Sequence, residues 1–180
     1  MARTTQQGIA MEFNKLVFAG PVGAGKSTAI LSVSSAPPVT TEQPLSDGPM
    51  GEKTTTTVAL DYSYLDLDGD ILHLYGLPGQ EQLSFMREII LQGAYGVILL
   101  LDANHQNISS MAAHWLSTIL TINPEIKIVI AVTKSEHCCD FSINTLRKTV
   151  KEYINSAPII TIDPREKTDV MQALRMLTAL

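Results

Sequence analysis

The chain has 180 residues, which is enough for one complete α/β domain but not for two of ordinary size. Its 45% hydrophobic and 17% charged residues exclude a disordered chain, and its net charge of −5 argues against nucleic acid or an anionic membrane as the main partner. The two cysteines, Cys138 and Cys139, are neighbours in the sequence, which excludes a disulfide framework and favours a reducing compartment.

A glycine-rich run follows the first predicted strand, which covers 13–19. This run, Gly20-Pro21-Val22-Gly23-Ala24-Gly25-Lys26-Ser27, precedes a stretch of helical composition that starts at Thr28. A strand, G-x-x-x-x-G-K-S and a helix, in this order, are the context of a phosphate-binding P-loop. Glycines let backbone N–H groups approach phosphate oxygens, and the helix N-terminus adds its positive dipole. We therefore predict that residues 20–28 bind a nucleoside triphosphate, with Lys26 on the β- and γ-phosphates and Ser27 on Mg²⁺.

The segment 34–57 is rich in proline, threonine and serine and shows no apolar periodicity. A loop of this length in a compact domain is either functional or a sign of a misassigned element. Its position after the P-loop helix favours a functional loop, because nucleotide switches act by ordering such a segment. Two strands are then predicted over 58–67 and 71–75, and the Asp68-Gly69 pair between them is a strong hairpin signal.

Helices and strands alternate through the rest of the chain. A helix is predicted over 83–92, with its apolar face made by Leu83, Met86, Ile89 and Ile90. Further strands are predicted over 95–101, 126–132 and 158–162, and further helices over 108–122, after a cap at Asp140 and after a cap at Asp163. This order predicts an α/β fold with a doubly wound, mostly parallel six-stranded sheet that contains one antiparallel strand. Ligands are expected at the carboxyl ends of the strands.

We expect one domain over 13–180, preceded by a polar lead-in over 1–12. The sequence shows no signal peptide and no lipidation motif, and its longest apolar run, 97–101, is too short to span a bilayer. These features predict a cytoplasmic protein without a lipid anchor.

The run Leu77-Pro78-Gly79-Gln80-Glu81, together with the P-loop, the threonine-rich loop and the hairpin, resembles the small Ras-like GTPases. It is similar to the prokaryotic MglA-like branch, in which the usual D-T-A-G-Q-E motif lacks its aspartate. The resemblance implies a P-loop NTPase G-domain that binds GTP/GDP and Mg²⁺ and acts as an on/off switch by hydrolysing GTP. It also implies a Roadblock/LC7-type regulator and an effector protein as partners.

The resemblance implies roles for individual residues of the two loops. One threonine of 54–57 is expected to reach the γ-phosphate and Mg²⁺, and Thr57 is favoured because it lies immediately before the strand. The N–H of Gly79 is expected to sense the γ-phosphate, and Gln80 to orient the attacking water. Hydrolysis in this class is slow without an added cation, and Arg87 is the nearby candidate, although its position on an amphipathic helix favours a surface arginine.

The aspartate that the family holds near Mg²⁺ would fall at Gly76, which has no side chain. If Asp68-Gly69 is a two-residue turn, counting outward along the hairpin puts Asp61 directly opposite Gly76. Opposed residues project from the same face of the sheet. We therefore hypothesise that Asp61 supplies the missing acid, through a metal-bound water.

The base-reading loop of the family corresponds to Thr133-Lys134-Ser135-Glu136 here, where N-K-x-D is usual. Glu136 can accept hydrogen bonds from guanine N1–H and N2–H₂, which adenine does not offer, whereas Thr133 cannot copy an asparagine amide. Lys134 is expected along the base plane, and Asp163 matches the last family motif only loosely. We expect guanine to be preferred over adenine.

Two other functions remain open at this stage. An ATP-binding enzyme such as a small kinase would share the P-loop, although the chain lacks a lid insertion and an arginine cluster. A scaffold that holds nucleotide with negligible turnover is favoured by the absent aspartate and the absent arginine. Competition between GTP and ATP tests the first alternative, and single-turnover hydrolysis tests the second.

Overall fold

Eight strands and five α-helices are present in the computed structural model, which describes residues 15–39, 42–44, 55–57, 61–67, 69–138 and 141–180. The strands are β1 (Lys15–Ala19), β2 (Glu42–Pro44), β3 (Thr55–Thr57), β4 (Asp61–Leu67), β5 (Asp70–Gly76), β6 (Gly96–Asp102), β7 (Lys127–Thr133) and β8 (Ile159–Thr161). The helices are α1 (Lys26–Val33), α2 (Phe85–Leu91), α3 (Ile108–Ile122), α4 (Ile143–Lys151) and α5 (Lys167–Thr178), with short 3₁₀ turns at Glu81–Leu83 and Ser135–His137. Within these described ranges, no helix has both the length and the apolar character that crossing a membrane requires.

Six strands form one sheet in the order β4-β5-β1-β6-β7-β8, in which only the edge strand β4 runs antiparallel to its neighbour. The strands β2 and β3 pair with each other in a separate two-stranded ladder. Strand β6 is buried from its first residue to Leu101, and its apolar run has no polar interruption. This composition is required where both faces of a parallel sheet are covered. The predicted α/β fold, with its doubly wound, mostly parallel six-stranded sheet and one antiparallel strand, is confirmed.

Helices cover both faces of the sheet. The core on one face includes Trp115 and Leu116 of α3 and Leu146 of α4, together with residues of α2. The core on the other face includes Ile30 of α1 and Leu174 of α5. Helix α1 follows β1, and α2 follows the neighbouring strand β5, so the chain leaves these two strands toward opposite faces. Open α/β sheets bind their ligands in the crevice at such a switch point.

The β4–β5 hairpin has the register that a two-residue turn predicts. Leu67 pairs with Asp70, and six positions further along the ladder Asp61 pairs with Gly76. Gly69 has a φ of 97°, in the left-handed region where a side chain would strain the turn. The predicted pairing of Asp61 with Gly76 is confirmed, and it holds the two residues side by side at the end of the hairpin.

The helix predicted over 83–92 is shorter and faces a different way. A 3₁₀ turn precedes α2, and the buried side of α2 includes Arg87, Ile90 and Leu91, whereas Ile89 is 67% exposed. The expected apolar face was therefore wrong at Ile89 and omitted Arg87. The buried side of α2 is centred about one residue further along the helix than the apolar residues predict. Arg87 is buried there because its guanidinium lies over the Trp115 ring and pairs with Glu81.

The cap predicted for the final helix was also wrong. Helix α5 begins at Lys167, with Glu166 at the N-cap position, and not directly after Asp163. The carboxylate of Asp163 instead accepts hydrogen bonds from Arg165, and the N–H of Asp163 donates to Asp169 Oδ2 at 2.9 Å. Residues 163–166 therefore form a separate turn, because local side-chain partners satisfy their backbone before the helix starts.

Two further predictions concern segments that the structure describes only in part. The loop predicted over 34–57 contains strands β2 and β3, so it was misassigned at these positions. The predicted cap at Asp140 lies outside the described residues. The described N-cap of α4 is Ser142, whose hydroxyl accepts a hydrogen bond from the N–H of Thr145 at 3.4 Å.

Candidate nucleotide-binding site

The candidate site lies where β1 and β5 end beside each other. The P-loop continues from β1, and the loop that carries Gly79 and Gln80 continues from β5. The N–H of Leu77 donates to the carbonyl of Phe18 at 2.8 Å, which extends the pairing of the two strands to the edge of the crevice. The two loops therefore start from a common rigid base.

The glycines of the P-loop have the conformations that the tight turn needs. Gly20, Gly23 and Gly25 have φ values of 135°, 80° and 98°. A Cβ on Gly20 would lie 2.2 Å from the carbonyl oxygen of Leu100 on β6, which is far inside van der Waals contact. Only glycine therefore allows the loop to turn this closely against the neighbouring strand.

Lys26 is the first residue of α1, and its side chain folds back over the loop. Its Nζ donates to the carbonyl oxygens of Gly20 at 2.8 Å and Pro21 at 2.7 Å, and the residue is 9% exposed. These carbonyls hold the ammonium group directly above the turn. Phosphate oxygens entering the loop would be stronger partners for this cation than neutral carbonyls, because they carry the opposite charge.

Ser27 and the buried Asp61 form a partly buried polar pair next to Lys26 in the chain. The Ser27 hydroxyl donates to Asp61 Oδ2, and Asp61 is 2% exposed. Among the described residues, Asp61 Oδ1 has no hydrogen-bond partner. A buried carboxylate oxygen without a partner is unfavourable, and it marks a position where a cation or its bound water would be stabilised.

Gly76 leaves the space that Asp61 occupies. A Cβ on Gly76 would lie 3.0 Å from Asp61 Cβ and 3.3 Å from Asp61 Oδ2. A side chain at position 76 would therefore press against the Asp61 side chain, which would have to shift by a few tenths of an ångström. A hydroxyl and a carboxylate with one unpartnered oxygen are the oxygen donors that Mg²⁺ prefers, so these residues fit the ion that the P-loop implies.

The loop after β5 rests directly on the P-loop. A Cβ on Gly79 would lie 2.6 Å from the backbone nitrogen of Val22 and 2.8 Å from the carbonyl carbon of Pro21. Position 79 must therefore be glycine for the two backbones to approach this closely. Gln80 follows at the rim of the crevice and is half-buried. The structure thus brings the backbones of Gly79 and the P-loop together, and the role expected of the Gly79 N–H toward a γ-phosphate stays a prediction.

Thr133 lies at the end of β7 and braces the P-loop from behind. Its side chain is fully buried, and its hydroxyl donates to the carbonyl of Ala24 at 3.1 Å, with a longer contact to the carbonyl of Leu101 at 3.4 Å. The hydroxyl therefore contacts protein and not the open side of the crevice. This contact accounts for threonine at a position that was predicted to bind the nucleotide.

Lys134 and Glu136 follow Thr133 in the chain, and both are exposed. Lys134 has a φ of 57°, and its Nζ forms an ion pair with Asp102 Oδ2 at 2.7 Å. Asp102 is the last residue of β6, so this pair ties the carboxyl ends of two adjacent strands together. Glu136 is exposed on the 3₁₀ turn Ser135–His137.

Asp163 is engaged by its own turn. Arg165 donates from Nε to Asp163 Oδ1 at 2.9 Å and from Nη2 to Oδ2 at 2.6 Å. This fork lowers the pKa of Asp163 from 3.8 to about 2. The adjacent Pro164 lies against the P-loop, since a Cβ on Gly25 would lie 2.8 Å from Pro164 Cγ. The turn therefore touches the site through Pro164, while the Asp163 carboxylate is already paired.

Thr57 lies in β3, opposite Glu42 of β2. The structure describes only its backbone, and its predicted contact with the γ-phosphate and Mg²⁺ stays a prediction.

Sequence reasoning missed the burial of Arg87, which was expected on the surface. Arg87 is 2% exposed, its guanidinium lies 4.5 Å from the centroid of the Trp115 ring, and it pairs with Glu81. The apolar stripe of α3 that contains Trp115 was visible in the sequence, but no local pattern indicated that an arginine from another helix would cover it.

A nucleotide-binding fold and a complete P-loop at its switch point together define this protein as a P-loop NTPase. The chain belongs to the family described as conserved hypothetical ATP binding protein, whose model matches residues 36–178. A segment of 48 residues is 40% identical to an uncharacterized protein of Methanocaldococcus jannaschii. That segment covers 27% of this chain and 31% of the relative, so the match spans about a third of the relative's length. Neither comparison distinguishes the MglA-like branch from other P-loop families.

Proposed function

We propose that this protein is a nucleotide-dependent switch that binds GTP with Mg²⁺ and hydrolyses it to GDP. The observation that carries the proposal is the hydrogen bond from Ser27 to the buried Asp61 carboxylate at the P-loop. A phosphate-binding loop alone needs no such acid, whereas a Mg²⁺–triphosphate site does. The specific assignment to an MglA-like GTPase comes from the Leu77-Pro78-Gly79-Gln80 motif and is part of this proposal.

The P-loop would bind the β- and γ-phosphates through its backbone N–H groups and Lys26. On binding, Nζ of Lys26 would exchange the carbonyls of Gly20 and Pro21 for phosphate oxygens. The N-terminus of α1 points toward the same anion and adds its dipole. These interactions neutralise charge on the triphosphate and hold it for in-line attack.

Ser27 and Asp61 would hold the magnesium ion, Ser27 through its hydroxyl oxygen and Asp61 through a bound water. When bound, Mg²⁺ neutralises charge that develops on the phosphate oxygens. Asp61 would accept hydrogen bonds at Oδ1, the oxygen that has no partner among the described residues. Thr57, the last residue of β3, is the expected additional ligand.

Gly79 and Gln80 would respond to the γ-phosphate. The N–H of Gly79 would donate to a γ-phosphate oxygen, and the amide of Gln80 would orient the attacking water. The segments 34–57 and 77–87 would change their order or position between GTP and GDP, which is the switch. By resemblance, a Roadblock/LC7-type protein would regulate this change and an effector protein would read it.

The nucleobase would lie near Lys134 and Glu136, where Glu136 can accept two hydrogen bonds from guanine. ATP is the alternative, and it is favoured by the description of the family to which the chain belongs. The ATP-binding enzyme and the scaffold with negligible turnover share the P-loop with the leading proposal, so binding and turnover must be measured separately.

Titration of the purified protein with labelled GDP and ADP at millimolar Mg²⁺ tests the proposal. We expect GDP to bind more tightly than ADP, and Lys26→Ala to weaken binding by about 10- to 100-fold, because it removes a charge-assisted contact. The matched control is Lys148→Ala, an exposed lysine of α4, which should leave affinity unchanged.

Three results would contradict the proposed GTP switch, two of them in favour of another function. Tighter binding of ADP would favour an ATP-binding protein of the family. Tight GTP binding without single-turnover hydrolysis, with and without a purified partner, would favour a scaffold. Absence of binding by either nucleotide would refute the proposal.

A further inference from the structure

Arg87 occupies an unusual environment for a residue of its type. It is 2% exposed, and its guanidinium carbon lies 4.5 Å above the centroid of the Trp115 ring, which is itself 2% exposed. Its Nε has no hydrogen-bond partner among the described residues. A buried cation over an aromatic face gains cation–π attraction, but the unpartnered donor makes full burial unfavourable unless other groups retain it.

Glu81 forms an ion pair with Arg87 that holds its guanidinium in this buried position. Nη2 of Arg87 lies 3.0 Å from Glu81 Oε1, and the hydrogen bond from Arg87 is the main reason that the pKa of Glu81 is lowered. His114 of α3 brings its Nε2 to 3.2 Å from the same oxygen. Glu81 thus connects the 3₁₀ turn after Gln80 to both α2 and α3.

The Arg87–Glu81 pair constrains Gln80, the residue before Glu81. Gly79 is pressed against the P-loop, and Glu81 is held by Arg87, so Gln80 lies between two anchored neighbours. Nη2 of Arg87 also lies 3.5 Å from the carbonyl oxygen of Gln80. Because these contacts occupy the guanidinium, Arg87 would have to leave both Trp115 and Glu81 before it could reach a phosphate.

We propose that Arg87 is a positioning residue, which through Glu81 holds the segment carrying Gln80 in the orientation that hydrolysis requires. This inference rests on the proposed function, because it concerns the reach of Gln80 toward the γ-phosphate. The Arg87–Glu81 pair acts as a latch between the loop after β5 and α3. Arg87 itself does not contact the nucleotide.

The variant Glu81→Gln tests the latch, because it removes the charge but keeps the size and an acceptor oxygen. The Glu81 side chain is 69% exposed, so the substitution should leave the core intact. The matched control is Glu88→Gln, an exposed glutamate on α2 that loses the same charge. Arg87→Lys is the second variant, which keeps the charge but loses the planar fork.

We expect Glu81→Gln to lower the single-turnover rate of bound GTP about tenfold, because the ion pair that orients a catalytic group is weakened to a hydrogen bond with a neutral acceptor. Nucleotide affinity should stay within about twofold of wild type, since no phosphate contact is lost. The control variant Glu88→Gln should match wild type in both turnover rate and nucleotide affinity. In the nucleotide-free protein, amide hydrogen exchange over 79–83 should rise about tenfold in Glu81→Gln, because the segment opens locally.

A spectroscopic signal reports the latch directly. Trp115 is the single tryptophan of the sequence, so its indole N–H gives one NMR resonance. This resonance should shift in Glu81→Gln and in Arg87→Lys, and should be unchanged in Glu88→Gln.

The latch is refuted if hydrogen exchange over 79–83 is unchanged in Glu81→Gln. It is also refuted if the wild-type protein turns over GTP and the variant does so at the same rate. Failure of wild type to bind nucleotide would refute the proposed function alone, because hydrogen exchange in the nucleotide-free protein still decides whether the pair holds this segment.

Discussion

At the scale of single residues, the candidate site depends on glycines at which an added Cβ would come too close to neighbouring atoms. A Cβ at Gly20 or Gly79 would collide with the backbone of Leu100 or Val22, and a Cβ at Gly76 would make a tight contact with Asp61. The glycine at position 76 is the most informative, because it leaves room beside the Asp61 carboxylate that Ser27 contacts. The glycine at position 76 and the aspartate at the opposed position 61 are therefore two parts of a single arrangement.

Asp61→Asn should abolish most of the Mg²⁺ dependence of nucleotide binding. The substitution keeps the shape of the side chain but removes the charge that would hold a metal-bound water, so metal affinity should fall about 10- to 100-fold. Titration of labelled GDP over a range of Mg²⁺ concentrations measures the change. The control Asp70→Asn removes an exposed charge from the same hairpin. Equal Mg²⁺ dependence in wild type and Asp61→Asn would contradict the assigned role.

The ion pair between Asp163 and Arg165 predicts a low pKa for the Asp163 carboxyl, and replacing Arg165 should raise it. Because Arg165 lowers the pKa of Asp163 to about 2, the pair is fully formed above the ordinary pKa of 3.8 and is lost as the pH falls through about 2. In Arg165→Ala the pKa of the Asp163 carboxyl should rise from about 2 toward 3.8, and the hydrogen bond from the backbone N–H of residue 165 should keep it below 3.8. Carbon-detected NMR of the carboxyl group measures both values. Arg147→Ala, an exposed arginine of α4, serves as the control and should leave the Asp163 titration unchanged.

At the scale of elements, the ends of four parallel strands hold the loops of the site. Strands β1 and β5 carry the P-loop and the Gly79 loop, and the adjacent strands stabilise them from behind. Thr133 at the end of β7 donates to Ala24, and Lys134 forms an ion pair with Asp102 at the end of β6. The P-loop is therefore positioned by contacts from distant parts of the chain as well as by its own glycines.

Thr133→Val should destabilise the protein and weaken nucleotide binding together. Valine has a similar size but leaves the buried carbonyl of Ala24 without its partner, which costs about 1–3 kcal/mol. Chemical denaturation and nucleotide titration measure the two effects. Thr118→Val is the matched control, because its hydroxyl bonds to the carbonyl of His114 on the surface of α3. A Thr133→Val variant with wild-type stability and affinity would show that the hydroxyl does not brace the loop.

At the scale of the whole molecule, two apolar cores lie on opposite faces of one sheet, and the ligand crevice lies at their common edge. Leu100 and Ile98 face the core under α1 and α5, whereas Leu99 and Leu101 face the core under α2, α3 and α4. A ligand at the switch point would contact loops that are anchored in both cores. Ligand binding should therefore stabilise the fold as a unit.

Nucleotide with Mg²⁺ should raise the melting temperature. A ligand at one hundred times its Kd adds about 2.7 kcal/mol, which corresponds to a rise of about 5–10 °C for a domain of this size. Differential scanning calorimetry with and without GDP and Mg²⁺ measures the shift. Lys26→Ala should show a smaller rise, and a nucleoside without phosphates should produce none. Equal melting temperatures with and without GDP would contradict binding at the P-loop.

Much of this protein was predictable from short stretches of its sequence. The P-loop, the D-G hairpin and its register, and the alternation of strands and helices depend on neighbouring residues, whose backbone preferences and apolar spacing act locally. The hairpin register even placed Asp61 opposite Gly76, because a two-residue turn leaves no freedom in the pairing.

Only the tertiary structure decided the partners of the polar side chains. Arg87 is buried because Trp115 of α3 and Glu81 lie beside it, and Thr133 turns inward because Ala24 presents a carbonyl there. The late start of α5 likewise depends on two contacts of Asp163, whose carboxylate pairs with Arg165 and whose backbone N–H donates to the Asp169 carboxylate. Hydrogen bonds and ion pairs join residues that are brought together by the fold, so sequence spacing determined which elements form, and packing determined which charges meet.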